Sequence, residues 1–135
     1  MPVFNREVYN ISNTIESIAL DNSIHVFLVN DSYDESAQVL LGKILASVKQ
    51  DLSTASIHHK SKEDDLRLTS SKDILVLSFG LHPRQFQLQI DNRPYGLRKV
   101  GTTTYIFSRS LADLPNRPEE RKALWISLKR YYGLS

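Results

Sequence analysis

Cysteine is absent from the 135-residue chain, which excludes disulfides, zinc–thiolate centres and thiol catalysis. Glycine is scarce, with five residues, and none falls in a Gly-x-Gly-x-x-Gly, Walker or Gly-x-Ser-x-Gly pattern. The sequence marks of phosphate-cradling loops and of a hydrolase nucleophile elbow are therefore missing. No apolar run approaches the roughly 20 residues that a membrane-spanning helix needs, and no signal-peptide core follows the N-terminus. A soluble cytoplasmic protein without a cofactor is expected. His58 and His59 are adjacent, so on a strand they point to opposite faces and make a poor metal pair.

What is present is enough for one compact domain. Hydrophobic residues make up 41% of the chain, sufficient for a real core. The net charge of +2 hides an asymmetry. Residues 1–83 hold 7 Lys/Arg against 11 Asp/Glu, whereas residues 84–135 hold 10 against 4. A basic C-terminal part suits nucleic acid or an acidic partner, and equally a solvated face balanced by the acidic half.

Hydrophobic periodicity divides the chain into elements. Phe4, Val8, Ile11, Ile15 and Ile18 recur at alternating spacings of four and three, a helical stripe over residues 1–20. Residues 1–22 are thus read as an amphipathic N-terminal segment that needs a surface to lie on, with residues 23–135 as a single α/β domain. Ile24–Val29 is a buried strand. Ser32 and Glu35 have capping-box spacing ahead of a core-facing helix over 33–50. Thr54–His59 reads as a more exposed strand and Ser61–Lys72 as a polar connection with one helical turn. Ile74–Phe79 is a second buried strand. Phe86, Leu88 and Ile90 alternate, as in an exposed strand or extended segment, and Thr102–Phe107 is the last strand. Pro118 suits the first position of a final helix. Glu119 and Glu120 near its start and Lys129 and Arg130 near its end suit its dipole, and Gly133 ends it. Trp125, with Leu124, Leu128, Tyr131 and Tyr132, is read as packing on one broad face. Strands alternating with helices predict a three-layer α/β/α domain with a mostly parallel sheet of about four strands.

Ligands of such sheets bind beyond the strand C-termini. There, Asp31 and His82 offer an acid/base pair, although the same residue types serve as turn formers and helix caps.

The block Ser108–Tyr132 resembles the C-terminal block of the psi subunit of bacterial DNA polymerase III. The matching residues are Ser108, Leu111, Asp113, Leu114, Asn116, Pro118, Lys122 or Arg121, Leu124 and Trp125. The resemblance implies a uracil-DNA-glycosylase-like topology without that enzyme's activity. It also implies a non-catalytic replisome adaptor joining clamp-loader subunits to a chi-like protein, and through it, indirectly, to single-stranded DNA. Mapped onto this sequence, the N-terminal peptide would contact the clamp loader through Phe4, Val8, Ile11 and Ile15. The alternatives are a uracil-DNA-glycosylase-like enzyme using Asp31 and His82, and a generic nucleic-acid-binding module.

Overall fold

The computed structural model describes residues 15–29, 34–89 and 94–134. A five-stranded sheet forms its centre. It contains β2 (Ile24–Val29), β3 (Ala55–Lys60), β5 (Ile74–Phe79), β6 (Arg98–Val100) and β7 (Thr103–Ser108) in the order β3-β2-β5-β7-β6. All neighbours run parallel except the edge hairpin β6–β7. A separate two-stranded parallel ladder joins β1 (Ile15–Ala19) to β4 (Asp65–Thr69). The helices are α1 (Glu35–Ala46) and α2 (Pro118–Tyr131). The mixed α/β character expected from the sequence is therefore present.

Alternation along the central strands builds two cores. Ile24, Val26 and Leu28 of β2, with Leu75 and Leu77 of β5, face α1 and α2, which contribute Leu41, Leu45, Leu124 and Leu128. Phe27, Val76, Tyr105 and Phe107 face the other way, onto Leu66 of β4, Leu20 and Phe86. Strands buried on both faces read as continuous apolar runs, which is why IHVFLV and ILVLSF were legible in sequence. The connection from β2 to β3 passes through α1 on one face. The return from β3 to β5 passes through β4 on the other, so the order reverses between β2 and β5. Among the described residues, both α-helices lie on one face. The opposite face is covered by β1, β4 and a 3-10 turn at Pro83–Phe86.

Five expectations are corrected. Residues 15–19 are a strand, not the end of a helical stripe. Ile18 and Leu20 share one side of it and pack on the second core, while the β4 backbone supplies the hydrogen bonds. Phe4, Val8 and Ile11 lie outside the described residues. Ser61–Lys72 contains β4 instead of a helical turn. Phe86 begins no alternating strand. It closes the 3-10 turn and is 3% exposed, edge-on to Phe27. The sheet has five strands where about four were expected, because β6 adds a short antiparallel edge. The N-cap of α1 is Asp34, whose Oδ1 accepts from the Ala37 amide at 2.9 Å. The helix thus starts from Asp34, and Ser32 of the expected capping box lies outside the described residues.

Candidate interaction surface

The Ser108–Tyr132 block forms one continuous piece of architecture. Ser108 closes β7, and its Oγ donates to the Arg109 carbonyl at 2.9 Å. The chain then turns. The Ser110 carbonyl accepts from the Asp113 and Leu114 amides, with Leu111 and Leu114 fully buried beneath it. Asp113, just before the short 3-10 turn Leu114–Asn116, and Asn116, its last residue, stay exposed. Pro118 opens α2 at its first position, where its missing N–H costs nothing. Gly133 ends the helix at φ 69°, and the Leu134 amide returns to the Lys129 carbonyl at 2.8 Å. Leu124 is buried, as expected from its place in the apolar stripe.

Tyr95, which no sequence pattern singles out, pins this block to the sheet edge. Its amide donates to the Phe107 carbonyl at 2.9 Å, and its own carbonyl accepts from Ser127 Oγ on α2. Its hydroxyl donates to Glu120 Oε1 at 2.8 Å. Arg109 Nε donates to the same oxygen at 2.6 Å, and Arg117 reaches the other carboxylate oxygen at 3.4 Å. Burial, then the bond to Glu120, pushes the Tyr95 phenol up, while that same bond heads the causes holding the Glu120 carboxyl down. Tyr95 sits at φ 69°, a left-handed conformation unusual for a bulky residue, and these bonds hold it there.

At the strand C-termini, a cavity of about 300 Å³ is lined by Gly80, His82, Pro94, Ser108 and Arg109 among others. His82 takes the cap role weighed for it. Its Nδ1 accepts from the Arg84 amide at 3.0 Å, while Gln85 Oε1 accepts from the His82 amide. Gln85 Nε2 then donates to the Ser61 and Asp64 carbonyls, both at 3.0 Å, tying this turn to the loop before β4. Asp31 lies outside the described residues, so the proposed Asp31–His82 pair has no geometry here.

The second cavity departs most from expectation. Trp125, read as a packing residue, is 41% exposed. It lines a groove of about 230 Å³ between α1 and α2. The physical reason is helical phase: Leu124 and Leu128 already fill the sheet-facing side, which leaves Trp125 one position round the helix. Leu40, Ile44 and Leu124 complete the apolar floor, and Lys43 and Arg121 stand at its margin. Lys129 Nζ lies 4.2 Å from the centre of the Trp125 ring, a cation–π contact. The sequence did hold a signal for this groove. The α1 stripe, which runs through Leu40, Leu41, Ile44 and Leu45, is wider than one sheet contact requires.

Of the adjacent histidines, His59 is exposed, whereas His58 stacks on Phe27 with ring centres 4.4 Å apart. Its partner is His25, 1% exposed and missed within the apolar run. The Asn22 amide donates to His25 Nε2 at 3.1 Å, which places the His25 proton on Nδ1, 2.9 Å from His58 Nε2. Burial is the main cause holding both imidazoles below their usual pKa. Among the described residues, no three potential ligands gather into a metal site, and no helix is long and apolar enough to cross a membrane.

No protein-family model matches the chain, and no curated protein or solved structure matches it either.

Proposed function

We propose that this chain is a non-catalytic adaptor of the psi-subunit kind, coupling clamp-loader subunits to a chi-like protein of the replication machinery. A glycosylase-like topology is part of the same reading, as is a cytoplasmic location. One observation carries it. The residues that resemble the psi signature form a single contiguous unit from the end of β7 to the middle of α2, with Ser108, Leu111, Leu114 and Leu124 buried in it. A signature made of buried apolar residues and a proline helix entry is what a structural scaffold requires. The mechanism is then coupling: two partners held on one chain meet at raised effective concentration. Ile15, the one assigned partner-contact residue among those described, is half-buried at the start of β1.

The test is affinity purification of the tagged full chain from cells, with partners identified by mass spectrometry. Clamp-loader subunits and a chi-like protein should co-purify. A preparation free of every polymerase III component would overturn the adaptor reading, and uracil release from DNA by the pure protein would favour the enzyme in its place.

A further inference from the structure

We infer that the groove between α1 and α2 is a docking site for an acidic amphipathic peptide segment, helical in its bound form, whose apolar residues insert beside Trp125. The groove presents two unlike features together. Its floor is aliphatic and aromatic, with Leu40, Ile44, Leu124 and Trp125 contributing. Its charged margin is of one sign only, with Lys43 and Arg121 lining it and Lys129 over the indole. Among the described residues, no carboxylate lines it, and Lys43 and Arg121 form no ion pair. Glu120, next to Arg121 in the chain, is already held by Tyr95, Arg109 and Arg117. These cations are therefore left for an outside partner.

The shape favours a peptide over nucleic acid. A single-stranded chain uses successive exposed aromatic faces along a basic track. Here there is one Trp, with a lysine ammonium at its ring, above a cleft of branched aliphatic side chains. A cleft between two helices receives apolar anchors at helical spacing, and flanking carboxylates would complete the charges that Lys43 and Arg121 leave open. Residues 1–14 carry apolar residues but one arginine and one glutamate, so they supply no complementary charge. The inference stands apart from the replication reading, because it uses only the surface of this chain.

Trp125 is the only tryptophan in the protein and reports on the groove directly. The full chain is titrated with a fluorescein-labelled synthetic peptide of about 16 residues, with Leu at helical spacing and Asp or Glu elsewhere. The unlabelled form is used to follow Trp125 emission. The expected result is saturable binding, a blue shift of Trp125 and an affinity that falls as salt rises. Lys43→Glu with Arg121→Glu should weaken binding about tenfold or more, while thermal unfolding stays near that of the parent. Trp125→Ala, read by peptide anisotropy, should weaken it comparably. Four results would overturn the proposal. They are equal binding of a Lys-substituted peptide, indifference to the charge reversal, preferential binding of an oligonucleotide, and displacement by a peptide of residues 1–14. Concentration-dependent dimerisation lost on Trp125→Ala would assign the groove to a second copy and overturn it too. Peptide binding with no replication partner in the affinity purification would leave this inference standing while the adaptor reading fails.

Discussion

Replacing Gly80 with Ala should destabilise the fold by about 3 kcal/mol, and two separate terms make up that figure. Gly80 follows β5 at φ +96°, where an L side chain costs about 1–2 kcal/mol. A Cβ placed there would lie 2.9 Å from Val29 Cγ2 and 3.5 Å from Ser110 Cβ. The backbone has little room to retreat, because the Gly80 amide is bound to the Ser108 carbonyl at 2.9 Å. Overpacking of this kind costs a further ~1–3 kcal/mol. Urea unfolding followed by circular dichroism measures the sum, and a melting point lowered by roughly 10 °C should accompany it. Gly42 is the internal comparison. It lies within α1, where an added Cβ meets nothing within 4 Å beyond its chain neighbours and the helix's own backbone, so Gly42→Ala should stabilise by about 0.5–1 kcal/mol. Trimming Val29 to Ala in the Gly80→Ala background should recover the steric part and leave the backbone part, with a coupling of about 1 kcal/mol or more in the double-mutant cycle. The reasoning is refuted if Gly80→Ala unfolds at the parental midpoint, or if the two glycine replacements shift stability in the same direction.

Two further outcomes test other parts of the structure. Leu124→Ala should cost about 2–5 kcal/mol, whereas Trp125→Ala, one residue on but facing the groove, should change stability by less than about 1 kcal/mol. Equal losses by chemical denaturation would return Trp125 to the core. The His25–His58 pair makes stability depend on pH. Both imidazoles are held below the unfolded value of 6.5, so in that window the unfolded chain binds more protons. Stability is then complete above about pH 6.5 and declines as pH falls towards the folded values. Asp21 opposes this shift at both rings, and Lys72 adds to it at His25. Melting curves across about pH 7.5 to 5.5 should show the decline, and a His25→Gln, His58→Gln variant should flatten it. A parent with flat melting points over that range would contradict the buried neutral pair.

Local signals were strong where one segment's own pattern settled its structure. IHVFLV and ILVLSF are buried on both faces, so their apolar runs stand out without any partner being known. The helix α2 was legible because proline, charge order and glycine each act within a turn of its ends. The strands β1 and β4 were not, because each is a polar-apolar mixture whose hydrogen bonds come from the other, about 50 residues away in sequence. Phe86 was misplaced for a related reason. Its spacing with Leu88 fits a strand, but His82 and Gln85 cap a 3-10 turn that buries it.

The candidate surfaces divide in the same way. The residue types were visible: a lone Trp, a wide α1 stripe and a basic C-terminal part. By itself, the sequence determined the central strands, both helices and the signature block, since periodicity, propensity and capping act over a few residues. Tertiary structure alone decided which side of α2 faces the sheet, and hence that Leu124 is core while Trp125 borders a groove with Lys43 and Arg121. It alone brought Tyr95 under Glu120 and His25 against His58. Such pairings depend on the register of distant segments, and no local pattern encodes the distance between them.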